Sequence, residues 1–200
     1  MILKICGITN PEDAQAAIEA GAGALGFNFY PRSPRYIAPA SVRAIATPAH
    51  ILRVGVFVNE SRARVEEIAL AAALDVVQLH GDESPADYPA GLAVWKAARV
   101  LGAIDFTPYE TCPAEAILLD GPAAHLYGGS GLSFDWNLAA GLRKRIILAG
   151  GLDASNVARA VQLARPWGVD ACSKIESSPG KKDHAKMREF LQAAREALAS

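Results

Sequence analysis

Cys6 and Asp120 are the two residues whose type and setting best suit proton transfer. Cys6 closes the first apolar run, Leu3-Lys4-Ile5-Cys6, and precedes Gly7-Ile8-Thr9-Asn10. A cysteine there is either a small buried hydrophobe or a thiolate base or nucleophile, the latter if a cation or helix N-terminus pulls its pKa below about 8.5. Thr9 or Asn10 can cap the helix that follows, with Pro11 in its first turn, so a positive dipole end is expected near the thiol. Asp120 ends Ala116-Ile117-Leu118-Leu119-Asp120. A carboxylate directly after four apolar residues is either a helix cap or an acid whose desolvation raises its pKa and lets it hold a proton near neutrality. Together they form a base and an acid that can work on opposite sides of one substrate.

Other segments suit anions. Gly150-Gly151-Leu152-Asp153 follows an apolar run and leads into a helical stretch, and Ser173 follows the next run. Gly128-Gly129-Ser130-Gly131 offers a third cradle where backbone N–H groups can meet a phosphate. Arg32 and Arg35 lie on the proline-stiffened loop Tyr30-Pro31-Arg32-Ser33-Pro34-Arg35-Tyr36. They are ordinary solvated arginines or a fork-shaped clamp on a substrate carboxylate. His80, in Gln78-Leu79-His80-Gly81-Asp82, is a substrate ligand, a base or a hydrogen-bonded strand end; it is grouped with the substrate-binding candidates. No second His or Cys stands at metal-ligand spacing, so no metal site is expected. Lys181-Lys182 reads as a solvated helix start.

These residues need a frame to bring them together. Short apolar runs occur at 3–6, 24–29, 52–58, 75–79, 93–97, 116–119, 145–149 and 169–172. Helical stretches are expected at 11–20, 40–46, 62–73, 104–109, 136–142, 154–164 and 184–198, with a weak one at 85–89. Several runs are apolar without alternation, as in a parallel sheet covered on both faces. Eight strand-plus-helix units with no obvious edge strand predict an α/β fold, the (β/α)8 TIM barrel, with residues 1–200 as a single domain and no linker. In the last helix Met187, Phe190, Leu191, Ala194 and Leu198 should face the barrel. The carboxyl ends of the strands then present Cys6, Asn28, Asn59, His80, Lys96 or Arg99, Asp120, Gly150-Gly151 and Ser173, where such barrels do their chemistry.

Composition removes whole classes of function. Hydrophobic types make up 51% of the 200 residues and charged types 20%, too apolar for disorder. Lys plus Arg number 20 against 21 Asp plus Glu, a net charge of −1, which excludes binding to nucleic acid or to a membrane surface through bulk positive charge. No uncharged apolar run approaches the ~18 residues of a membrane helix. Three widely spaced cysteines without a C-x-x-C pair indicate a reduced, cytoplasmic protein.

The segments Lys4-Ile5-Cys6-Gly7-Ile8-Thr9, Gly26-Phe27, Ser33-Pro34-Arg35-Tyr36, Val54-Gly55-Val56-Phe57-Val58-Asn59, Gln78-Leu79-His80-Gly81-Asp82-Glu83, Leu119-Asp120, Gly128-Gly129-Ser130-Gly131, Phe134-Asp135-Trp136, Ala149-Gly150-Gly151-Leu152 and Pro179-Gly180-Lys181-Lys182-Asp183 run in order through the chain. Together they resemble phosphoribosylanthranilate isomerase. The resemblance implies a (β/α)8 barrel that carries out an Amadori rearrangement in tryptophan biosynthesis. It implies no metal or organic cofactor, a phosphoribosylanthranilate substrate, and a monomer or homodimer. It also implies Cys6 as base, Asp120 as acid, Arg35 on the anthranilate carboxylate, and phosphate loops at Gly150-Gly151 and Ser173. A related phosphosugar isomerase of histidine synthesis would place an aspartate where Cys6 stands. A third alternative is a barrel that binds a phosphorylated metabolite without turning it over.

The sequence departs from the family pattern once. After the eighth strand the family has approximately Asp-Val-Ser-Ser-Gly-Val-Glu, and this chain has Asp170-Ala171-Cys172-Ser173-Lys174-Ile175-Glu176. If the glycine position needs positive φ, Lys174 carries a cost of roughly 1–2 kcal/mol. Its ammonium then either meets the phosphate or points to solvent.

Overall fold

The computed structural model describes residues 1–100, 104–121, 136–139 and 142–199. Eight parallel strands close a barrel in chain order: β1 (Ile2–Cys6), β2 (Ala24–Asn28), β3 (Leu52–Phe57), β4 (Val76–Leu79), β5 (Ala93–Arg99), β6 (Ala116–Asp120), β7 (Arg145–Ala149) and β8 (Gly168–Ala171). The ring is sealed by β1 against β8, with Ile2 opposite Gly168 and Ile5 opposite Ala171. Residues alternate between the two faces of each strand. Outward-facing Leu3, Ile5, Leu25, Phe27, Val77, Ile117 and Leu119 pack under the helices. Inward-facing Ala24, Val54, Val76, Trp95, Leu118 and Ile147 fill the barrel floor. Both faces are buried, which is why the runs read as continuously apolar.

The crossovers are α1 (Pro11–Glu19), α2 (Pro39–Ala44), α3 (Arg62–Ala72), α4 (Thr107–Thr111) and α5 (Val157–Ala164), and α6 (His184–Ala199) closes the chain. Asn10 caps α1 by accepting from the Asp13 N–H at 2.8 Å. In α6 Met187, Phe190, Leu191 and Ala194 are fully buried, as expected; the Leu198 side chain lies outside the described residues.

Four of the expectations differ. The helix expected from 154 begins at Val157, because Asp153 and Asn156 spend the intervening turn on local hydrogen bonds: Ser155 N–H donates to Asp153 and Asp153 N–H to Asn156. Short 3₁₀ turns at Pro85–Asp87 and Trp136–Ala139 stand where helices were expected. Lys181-Lys182 is no solvated helix start. It forms β10 (Lys181–Lys182), antiparallel to β9 (Glu176–Ser178), and Lys182 is buried. Asp13 anchors this hairpin by accepting the Lys182 N–H at 2.9 Å, while its other oxygen meets His184 Nε2 at 2.7 Å.

Candidate functional site

A cavity of about 260 Å³ opens at the carboxyl ends of the strands. Its wall follows from strand parity. Cys6 lies two residues after Lys4, Cys172 two after Asp170, His80 two after Gln78 and Asp120 two after Leu118, so each shares the inward face of its predecessor. Of the expected site residues, Cys6, Arg35, His80, Asp120, Gly150, Gly151 and Ser173 all line this one cavity. Gly128 and Gly129 lie outside the described residues.

The thiol side is built from two layers of the β1–β8 pair. In the lower layer Lys4 is fully buried, and its Nζ lies 2.9 Å from Asp170 Oδ2. Burial opposes the Lys4 charge, but Asp170 and Cys6 together outweigh it and raise the lysine above its ordinary value. Burial likewise pushes the Asp170 carboxyl up to about 7, against the pull of Lys4. In the upper layer the neighbouring Cys172 thiol, with help from Lys4 and Lys182 and against the cost of burial, holds Cys6 well below the usual thiol range. The proximity of Cys6, together with burial, raises the Cys172 thiol in turn. Of the two charge sources expected here, a cation or a helix N-terminus, cations are present: Lys4, Lys182 and Arg35 all act on Cys6. The N-terminus of α1 is met by Asn10 and by the acidic Glu12 and Asp13 of its first turn.

On the facing wall Asp120 Oδ2 stands 3.1 Å from His80 Nε2, and Gln78 Nε2 stands 3.1 Å from His80 Nδ1. The Asp120 side chain keeps 33% of its surface exposed, so the full desolvation expected of it is not reached. Its partner is the histidine that follows β4, and His80 is accordingly more than a strand end.

The anion-binding candidates divide. Gly150 and Gly151 adopt consecutive positive φ values of 83° and 69°. A Cβ at Gly150 would collide with the Gly121 backbone, so the turn after β7 requires glycine there. Asn156 Nδ2 donates to Gly151 O at 2.9 Å and fixes the loop. Ser173 and Lys174 face the same cavity from the 3₁₀ turn Ser173–Ile175. Lys174 is not among the described non-glycine residues with positive φ, so the strain expected at this position is absent. Arg35 lines the cavity, whereas Arg32 is exposed on the loop outside it. The Arg35 fork is engaged within the chain: Nε donates to Glu176 Oε1 at 2.8 Å and Nη2 to Oε2 at 2.6 Å. Glu176 also accepts from the buried Lys182 Nζ at 2.9 Å. The Glu176 hydrogen bonds raise Arg35 above the ordinary guanidinium value against burial. Burial penalises the Glu176 charge, but Arg35 and Lys182 outweigh it and hold that carboxyl below its usual range.

Two strand-end expectations fail. Lys96 points away from the cavity and is buried against Glu83, 2.8 Å from its Oε2, because Trp95 takes the inward position on β5. Arg99 is exposed and Asn59 ties the loop after β3 to that after β4, its Oδ1 accepting from Asp82 N–H at 2.6 Å. The chain's chemistry also includes groups not singled out from the sequence: Lys4, Gln78 and Asp170. Each lies two residues before a strand-end residue, and that spacing was the available signal.

Comparison with known proteins gives concordant results. The family described as N-(5'phosphoribosyl)anthranilate (PRA) isomerase matches residues 3–193. The N-(5'-phosphoribosyl)anthranilate isomerase of Solibacter usitatus is 67% identical over 200 residues, covering 100% of both chains. Phosphoribosyl anthranilate isomerase from Thermotoga maritima superposes with a TM-score of 0.89 at 41% identity, over 98% of this chain and 100% of that one. A phosphoribosyl anthranilate isomerase in complex with reduced 1-(o-carboxyphenylamino)-1-deoxyribulose 5-phosphate gives a TM-score of 0.87 at 38% identity, over 98% and 100%.

Proposed function

Because the chain belongs to the N-(5'-phosphoribosyl)anthranilate isomerase family, we propose that Cys6 and Asp120 carry the proton transfers of its Amadori rearrangement. The reaction converts N-(5'-phosphoribosyl)anthranilate to 1-(2-carboxyphenylamino)-1-deoxyribulose 5-phosphate, a step of tryptophan biosynthesis. The observation that supports these roles is the placement of the two side chains, from β1 and β6, on one cavity.

Asp120 donates a proton to the ribose ring oxygen, the C1′–O bond breaks, and a Schiff base to the anthranilate nitrogen results. Its Oδ2 faces His80, which leaves Oδ1 for the sugar and lets the imidazole orient the carboxyl group. The Schiff base acidifies the C2′ proton, which the Cys6 thiolate removes. The enolamine then tautomerises to the ketone. Only proton transfers are required, so no redox or carbonyl-activating cofactor enters the scheme.

The two ends of the substrate are anions. Gly150, Gly151 and Ser173 are assigned to the phosphate, with the Lys174 ammonium beside them; the loop at Gly128-Gly129 is assigned there by family pattern. Arg35, held by Glu176 through Nε and Nη2, keeps Nη1 for the anthranilate carboxylate. Gripping both ends fixes the sugar between base and acid. The whole chain acts as one barrel domain on a diffusing metabolite in the cytoplasm; no helix among the described residues is long and apolar enough to cross a membrane.

The test follows loss of anthranilate fluorescence. Cys6→Ser and Asp120→Asn should each lower kcat by about 10²–10⁴ while changing KM little. Full kcat in folded Cys6→Ser would remove the thiol from the mechanism.

A further inference from the structure

Cys172 has no task in the scheme above, yet it sits beside the thiol that does. β1 and β8 are paired up to Ile5 and Ala171, and Cys6 and Cys172 each stand one residue beyond that last pair. Both follow the inward parity of the Lys4–Asp170 pair one layer below, both line the cavity, and both are free. Neighbouring strands run about 4.8 Å apart, and a disulfide needs Cα atoms roughly 4.4–6.8 Å apart. The position a Cβ of residue 7 would occupy is 3.1 Å from Cys172 Sγ, so that thiol lies against the residue that directly follows Cys6. Lys182 Nζ stands 4.0 Å from Cys172 Sγ, a cation placed to favour that thiolate when it forms. Cys112, the third cysteine, is buried elsewhere, with Sγ on Tyr109 O at 3.1 Å.

We propose that Cys6 and Cys172 form a reversible disulfide under hydroperoxide stress, and that this bond switches the isomerase off. The silencing rests on the assignment of Cys6 as base; the pairing does not. In the first step the Cys6 sulfur attacks the peroxide, an S–O bond forms, the O–O bond breaks, and the departing alkoxide or hydroxide takes the electron pair and a proton. Cys6 is then a sulfenic acid. In the second step Cys172 attacks the Cys6 sulfur, the S–S bond forms, the S–O bond breaks, and hydroxide leaves with the Cys172 proton as water. Two thiols and one hydroperoxide thus give one disulfide, one alcohol or water, and one water. A Cys172 thiol in reach also spares Cys6 from further oxidation, because disulfides are reducible and sulfinic acids are not by ordinary thiols. Because both sulfurs border the open cavity, the bond is accessible to thiol reductants and is expected to be readily reduced.

The experiment exposes the purified enzyme to hydrogen peroxide in excess, since a sulfinic acid consumes two peroxides per thiol, then to dithiothreitol, reading activity and non-reducing peptide mass maps. The expected result is a Cys6–Cys172 linked peptide that has lost two hydrogens, with activity lost and then largely recovered on reduction. In Cys172→Ser the same exposure should give Cys6 sulfinic acid and loss that dithiothreitol does not reverse. Absence of the linked peptide while Cys6 is oxidised, or equal recovery in Cys172→Ser, overturns the proposal. A linked peptide with activity retained upholds the pairing and instead overturns Cys6 as the base.

Discussion

Replacing Lys4 by methionine isolates the share of Cys6 acidity that the buried ammonium supplies beside Cys172 and Lys182. The position a Cβ of residue 26 would occupy is 2.8 Å from Cys6 Sγ and 3.1 Å from Lys4 Cε, so sulfur and ammonium-bearing carbon are close neighbours. A unit charge about 5 Å away at an effective dielectric of about 20 is worth about 3 kcal/mol, or roughly two pH units. Asp170 offsets part of this while it is charged. Without Lys4, however, burial keeps Asp170 protonated, since it is already pushed up to about 7 with the lysine present. The expected net change is an upward move of about one to two pH units for Cys6. The base must be deprotonated to act, so activity rises with pH through the Cys6 value. The acid limb of kcat/KM, followed by anthranilate fluorescence, should therefore shift upward in Lys4→Met and converge on the wild-type plateau at high pH. Methionine fills the same fully buried volume, and a neutral Asp170 leaves no unpaired charge, so the variant should fold. An unmoved limb in the folded variant, or a uniform loss at every pH, would show that the buried ammonium does not set the thiolate.

Three further expectations concern the anion grips and their support. Arg35→Ala should act through KM, raising it about 10- to 100-fold, as the loss of a charge-assisted hydrogen bond worth roughly 1.5–3 kcal/mol predicts; a change confined to kcat would move Arg35 into the chemical step. Lys174→Gly should raise KM several-fold and flatten its dependence on ionic strength, because the residue lines the phosphate side of the cavity; an unchanged KM would place the ammonium in solvent. Glu176→Gln should cost about 3 kcal/mol at pH 7, since it leaves the buried Lys182 unpaired. The Glu176 pKa is depressed in the fold, so its stabilisation is present above the ordinary carboxylate range and lost as pH falls through the folded value. Melting temperatures of wild type and variant should therefore stay apart across the ordinary carboxylate range and converge only at still lower pH, and a gap that closes already at the ordinary carboxylate pH would refute the assignment.

The barrel was legible because each strand is buried on both faces and so stands out as an apolar run, and because Cys6 and Asp120 end such runs. Boundaries blurred where side chains compete with the backbone, as Asp153 and Asn156 do ahead of α5. The charge inside the barrel was harder to see. Lys4 and Asp170 interrupt strands that otherwise look uniformly apolar, and the two-residue period that puts them under Cys6 and Cys172 becomes informative only once those ends are known to face inward. What no local pattern carries is the pairing of β1 with β8, which joins Lys4 to Asp170 across 166 residues of chain. The same holds for Lys182, read as a solvated helix start and found buried on Glu176 behind Arg35. Its burial depends on Asp13 of α1 accepting its N–H, a contact across 169 residues. Barrel closure therefore does more than position the site. It sets the register that decides which charges sit next to the thiol. A one-residue slip between β1 and β8 would leave every strand in place, yet it would point Ala171 rather than Cys172 at the cavity and part the ammonium from its carboxylate. The acidity of Cys6 is in this sense a property of the closed ring and cannot be assigned to the segment that contains it.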